Sequence, residues 1–162
     1  WAAWDGNPRA ILGEIIACAD ILIGNHRDIA LVTGKTFPGS GEARRRAAAE
    51  AAFAAFPRLT MIASTARRVI EADRHAISAR VDTRDDAAQT EELEVSRIVD
   101  RIGTGDAFTA GVLHSWLGGQ SAAAVVRCGL ALCALKHGVA GDAAAFSPAD
   151  IAAFWDGAGD VR

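Results

Sequence analysis

The chain has 162 residues, 51% of them hydrophobic and 23% charged, with a formal net charge of -3. That apolar content supports a core and excludes disordered or collagen-like architectures, and a pI near 5.8 without a basic stripe excludes a nucleic-acid binder. No apolar run approaches the roughly 20 residues of a membrane span, and no basic-then-apolar leader opens the chain.

In chain order, Asn7-Pro8 predicts an N-cap followed by proline at the first helical position, and Ile11, Ile15, Ile16 and Ala19 extend a helix over 8–19. The apolar run 20–24 predicts a buried parallel strand ending at Gly24-Asn25, before a short helix over 26–32. Alanine and arginine, both strong helix formers, predict a helix over 42–56. Strands are expected over 59–63, 75–81 and 93–99, with the charged stretch 82–92 as a solvated loop. Helices should follow over 107–117 and 121–137, and a last one starts at Ser147-Pro148, where Ser147 and Asp150 make a capping box. The alternation predicts one α/β domain with a mainly parallel sheet covered by helices on both faces, and no internal repeat. The three cysteines, Cys18, Cys128 and Cys133, form no CxxC pair and read as buried free thiols, and the four histidines lack the spacing of a zinc site.

Three short matches fail on the residues that their chemistry needs. His26-Arg27-Asp28 imitates a kinase catalytic loop but has Thr33 where an asparagine must hold metal. Gly34-Lys35-Thr36 imitates the end of a P-loop but has Ile29 in place of its first glycine. Gly103-Thr104-Gly105 imitates a dinucleotide fingerprint, yet the third glycine falls at Phe108.

The segment from Ile98 to Phe108 carries a clearer meaning. Glycines at 103 and 105 permit a tight turn, and the helix after it points free N–H groups at whatever sits there, which makes an anion site. A carboxylate at Asp106 would repel an anion that is only bound. Two readings stand: Asp106 takes a proton from a substrate hydroxyl while the N–H groups neutralise the transferred group, or it caps the helix.

Asp100-Arg101-Ile102-Gly103-Thr104-Gly105-Asp106 resembles the second signature of the ribokinase family, the PfkB-type sugar kinases, and its Asp-Arg-Ile form is most similar to the 2-keto-3-deoxygluconate kinase branch. Further resemblances follow in order: Asn25-His26-Arg27-Asp28 to the Asn-x-x-Glu motif, Ser64-Thr65-Ala66-Arg67 to the Thr-Leu-Arg segment, Lys136-His137 with Gly141-Asp142 to the nucleotide-side loop, and Asp160-Val161-Arg162 to the C-terminal end. The resemblance implies a ribokinase-like fold and an enzyme using ATP and Mg2+ to phosphorylate the 6-hydroxyl of a small sugar acid, 2-keto-3-deoxygluconate or its galactonate epimer. It implies Asp106 as base and Gly103, Thr104 and Gly105 as anion hole. Asn25 and Asp28 would hold magnesium through water, Thr65 and Arg67 would face the ATP phosphates, residues 136–141 would border the adenine, and a monovalent cation, K+, would sit near Asp100.

Thr104 stands where the family usually has alanine, and Asp28 where glutamate is more usual. Family members run to about 300 residues, the size at which one core stops growing. All the matches fall in their second half, so residues 1–162 are expected to be the ATP-binding, catalytic-base half, truncated at the N-terminus, opening on Trp1 instead of Met. The expected setting is cytoplasmic, with self-association or a missing N-terminal half completing the molecule and neither nucleic acid nor membrane as partner. The rivals are a non-catalytic nucleotide-binding fragment and a kinase of another sugar.

Overall fold

The structure, a computed structural model, describes residues 6–157. Trp1 and the Asp160-Val161-Arg162 match lie outside the described residues. The chain forms two compact units, one from residues up to Ser64 with Asp82–Asp86, the other from Thr65–Val81 and the residues from Ala87 on.

In the first unit, α1 (Pro8–Ala17) begins as the sequence predicts, with Asn7 Oδ1 accepting the N–H groups of Arg9 and Ala10. Proline at the first position loses only a donor that would have no helical acceptor. β1 (Ile21–Ile23), α2 (His26–Thr33) and α3 (Gly41–Ala55) follow. β1 runs parallel to the start of β2 (Met61–Glu71), with Ile21 opposite Met61 and Ile23 opposite Ala63. Ile16, Ile29, Phe53, Leu59 and Ile62 form the core with Ala48, Ala49 and Ala52 of α3. The alanines of α3 therefore do two jobs: they favour helix, and their small side chains are buried in the core.

In the second unit, β2 turns at Ala72-Asp73 into β3 (Arg74–Thr83), and β5 (Leu93–Val95) pairs antiparallel with β3, His75 opposite Val95. The hydrogen-bonded order is β1-β2-β3-β4 with β5 also on β3, so strand directions are mixed. α4 (Thr104–Leu117) packs on α5 (Ala122–Lys136), and α6 (Pro148–Trp155) closes the described chain. α4 and α5 come close because a Cβ on Gly111 would meet the Cys128 carbonyl oxygen at 2.7 Å and one on Gly129 would meet Phe108 and Val112 at 2.8 Å. The expected capping box is present, Ser147 Oγ accepting from Asp150 N–H and Asp150 Oδ2 from Ser147 N–H.

Four expectations need correction. The stretch 82–92 is not all solvated loop: Asp82 lies in the last residues of β3, is buried and meets Arg46 at 3.3 Å, while Ala87–Gln89 is strand β4. Its charges misled because pairing with a neighbour, which spacing does not reveal, makes burial tolerable. β2 runs eight residues past 63, since its far half is stabilised by the hairpin with β3 and needs no apolar run of its own. The strand expected over 93–99 stops at Val95, where Arg97 takes a left-handed φ of 55°. Cys18 is exposed beyond the end of α1 and Cys128 is half-buried, whereas only Cys133 is buried, which pushes its thiol up to about 12.

Candidate active site

The turn before α4 is built by one residue. Gly103 has φ 76°, in the left-handed region, and a Cβ there would come within 2.2 Å of the carbonyl oxygen of Asp142. Only glycine fits, on both counts. Thr104 closes the turn, its N–H and Oγ1–H both donating to the Arg101 carbonyl at 3.3 and 2.9 Å. The hydroxyl at the position where alanine is usual is thus engaged locally. The first intrahelical bond runs from Ala107 N–H to the Gly103 carbonyl at 2.9 Å. The N–H groups of Gly105 and Asp106 lie ahead of it, in the turn where a helix has donors without acceptors.

Gly105 is not a turn residue, contrary to the sequence expectation. It lies inside α4 without a positive φ, and a Cβ on it would meet nothing within 4 Å. Its contribution is open space beside two free donors. Gly105→Ala is therefore expected to leave the melting midpoint unchanged or raised, by up to about 1 kcal/mol of helix propensity, while weakening phosphate binding at the helix start; isothermal titration beside a thermal melt reads both.

No side chain caps α4. Of the two readings of Asp106, capping loses its support: its carboxylate stands exposed at the first turn with no hydrogen bond to the helix end. A groove of about 370 Å³ opens beside it, between Asp106, Ala107 and Ala110 of α4 and the segment Asp142 to Phe146. Chemically, such a helix start can neutralise an anion through its N–H groups and dipole while the carboxylate accepts a proton.

Asp100 ties two backbone segments together. Its Oδ1 accepts from Ile102 N–H at 3.0 Å and its Oδ2 from Gly141 N–H at 2.9 Å. The Ile102 bond first, then the Gly141 bond, hold its carboxyl below the usual value, with Arg101 and Lys136 adding smaller effects. Both carboxylate oxygens thus already have donors. The nearby carbonyl of Val139 accepts from Lys136 Nζ at 2.7 Å.

Thr65 and Arg67 are both exposed and stand two apart on β2, where alternation puts them on one face. Arg67 also acts on a buried pair that the sequence did not single out. His75 and His137, 2% and 3% exposed, meet edge to face at 6.4 Å. His75 Nδ1 is buried without a partner, while His137 Nδ1 meets the Cys133 carbonyl oxygen at 2.7 Å and the His137 carbonyl accepts from Val99 and Asp100 N–H. Burial, then Arg67 and Arg101, push the His75 imidazole below its usual 6.5. His137 is pushed down likewise, by burial first, with the Cys133 bond opposing and His75, Arg67 and Lys136 adding. A base whose folded pKa is depressed contributes stability above its unfolded value, and that contribution fades as pH falls. Urea midpoints should be level above pH 6.5 and decline below it, and His75→Gln should flatten that decline; an equal decline in the variant would remove His75 as a cause.

In the first unit, Asn25 and Asp28 form a capping box at the start of α2: Asn25 Oδ1 accepts from Arg27 N–H and Asp28 Oδ2 from Asn25 N–H, each at 2.8 Å. Both therefore have a local structural task. The box uses only Asp28 Oδ2, which leaves Oδ1 as a hard oxygen donor, the type that suits hydrated Mg2+. Among the described residues no helix is long and apolar enough to cross a membrane, and no three His, Cys, Asp or Glu groups gather as a metal site.

The fold and this helix start define an α/β protein with a turn of free backbone donors next to an uncommitted carboxylate. The sequence pattern of the pfkB family carbohydrate kinases matches residues 2–149, and the chain belongs to that family. Its ribokinase-like fold is shared with a PfkB family carbohydrate kinase from Listeria grayi at 26% identity and TM-score 0.81, over 90% of this chain and 44% of that one. A 2-dehydro-3-deoxygluconokinase from Thermotoga maritima is similar at 25% identity and TM-score 0.82, over 89% and 43%. A Burkholderia thailandensis nucleoside kinase in complex with inosine matches at 24% identity and TM-score 0.61, over 98% and 46%, a likeness of fold alone. The chain thus spans less than half the length of these structures. A search of the curated proteins found no match.

Proposed function

We propose that residues 1–162 are the ATP-binding, catalytic-base half of a PfkB-type sugar kinase, which transfers the γ-phosphoryl of ATP to the 6-hydroxyl of 2-keto-3-deoxygluconate or its galactonate epimer. The observation that carries this reading is the Asp106 carboxylate, unused by the fold, beside the free N–H groups of Gly105 and Asp106. The likeness to a 2-dehydro-3-deoxygluconokinase and the Asp-Arg-Ile form of the signature support the sugar-acid branch.

In this mechanism Asp106 accepts the proton of the acceptor hydroxyl as its oxygen bonds to phosphorus and the bond to the ADP oxygen breaks. The N–H groups of Gly105 and Asp106 stabilise charge on the transferred group, while Gly103 and Thr104 hold the turn that aims them. Thr65 and Arg67 meet the ATP phosphates, a bidentate guanidinium being suited to them, and residues 136–141 border the adenine. Asn25 and Asp28 would hold hydrated Mg2+, which would supply neutralisation of phosphate charge.

The test is ADP release from Mg-ATP with 2-keto-3-deoxygluconate, its galactonate epimer and neutral hexoses. Turnover confined to the acids supports the reading, whereas turnover with a neutral sugar assigns another branch of the family. The share of the relatives' length that the chain spans favours one rival, a nucleotide-binding module requiring the other half. Saturable Mg-ATP binding without turnover selects that rival, and absence of binding overturns both.

A further inference from the structure

A cavity of about 340 Å³ lies in the second unit, between α5, α6 and the connection from β4 to β5. It shares no lining residue with the groove beside Asp106. Leu93, Ala123, Val126 and Leu130 line it with apolar surface, and Trp155 adds a ring. The Arg127 guanidinium, also on the lining, stands 4.1 Å from the centre of that ring, a contact that fixes its direction without neutralising it.

The connection supplies the opposite charge. Thr90 is pinned to β3, its N–H donating to the Ala79 carbonyl and its Oγ1 accepting from Ala79 N–H, both at 3.0 Å. Glu92 is matched by Arg68. Glu91, exposed between these two fixed residues, lines the cavity as well. Among the described residues neither Glu91 nor Arg127 has an ion pair, with each other or with any other group. A lone anion in the cavity would meet repulsion from Glu91, and a lone cation from Arg127. A ligand carrying both charges a short distance apart satisfies both, and an apolar body suits the rest of the lining, where sugar hydroxyls would mostly meet hydrocarbon.

We propose that this cavity binds an apolar α-amino acid as its zwitterion, with the carboxylate on Arg127, the ammonium on Glu91 and the side chain among Val126, Leu130 and the Trp155 ring. The site stands apart from the kinase reading and does not depend on it.

The test is isothermal titration of the full chain, without nucleotide, with L-phenylalanine and L-leucine. Two analogues of the first that each lack one charge, 3-phenylpropionate and phenethylamine, run beside them. At least one amino acid should bind saturably, and both analogues should bind about tenfold more weakly than L-phenylalanine, the loss expected for one charge-assisted contact. Glu91→Gln should erase the preference over 3-phenylpropionate, and Arg127→Gln the preference over phenethylamine. Ala123→Phe, which fills the cavity from an exposed position on α5, should abolish binding. Absence of saturable binding by either amino acid in the wild type would overturn the proposal. So would analogues that bind as well as L-phenylalanine, since the cavity would then read only apolar surface, or undiminished binding by Ala123→Phe, which would put the ligand elsewhere.

Discussion

Asp106→Asn is expected to lower turnover by about a thousandfold while Mg-ATP affinity changes by less than about threefold, because a positioned general base contributes on the order of 10²–10⁴ in rate. The variant isolates the proton acceptor. Asparagine keeps the size of the side chain and the backbone N–H that faces the anion, so the start of α4 should survive. Since no side-chain cap closes this helix, the substitution breaks no cap and the fold should melt within about 1 °C of the wild type. Single-turnover ADP formation beside calorimetric Mg-ATP binding gives both numbers. Turnover within tenfold of the wild type would remove Asp106 from the role of base, and a matched loss of nucleotide affinity would make it a binding residue.

The second large effect is expected at Gly103. Gly103→Ala places a methyl 2.2 Å from the Asp142 carbonyl oxygen and forces a non-glycine residue to keep φ 76°. The backbone conformation alone costs about 1–3 kcal/mol, and the clash is with backbone that cannot rotate away. With overpacking added, the loss should be roughly 3 kcal/mol, or about 10 °C in the melting midpoint. Mg-ATP binding should fall with it, because the displaced turn no longer aims the N–H groups of Gly105 and Asp106. This contrasts with Gly105→Ala, where folding is spared and binding is not. A Gly103→Ala protein that melts like the wild type and binds nucleotide would show that the turn tolerates a shift of Asp142.

Much of this molecule was legible as pattern. Asn7-Pro8 and Ser147-Pro148-Ala149-Asp150 marked helix starts within one residue, because a cap is a local bond between neighbours in sequence. The motif 100–106 is local for the same reason, and Asp106, Gly103 and Asp100 fall within seven residues. Asn25 and Asp28 stood out only through the resemblance to the Asn-x-x-Glu motif, whose spacing of three is also that of the capping box they form. What pattern missed lay in contacts across long separations. The strand β4 hides among charges, and Asp82 is buried because Arg46, 36 residues earlier, meets it. Gly105 looked like a turn residue, and only the dihedral angles separate it from Gly103. His75 and His137 carry no signal in sequence, being 62 positions apart.

By itself, then, the sequence determined the α/β class, the helix starts and the tight turn before the Asp106 carboxylate, since each depends on hydrogen bonds and periodicities between residues close in the chain. Only the tertiary structure decided that Asp106 does not cap its helix, that Gly103 alone fits against Asp142, and that Asp100 holds the loop after α5 at Gly141. Those are facts of distance between segments far apart in sequence, and burial and backbone angle, not residue type, set them.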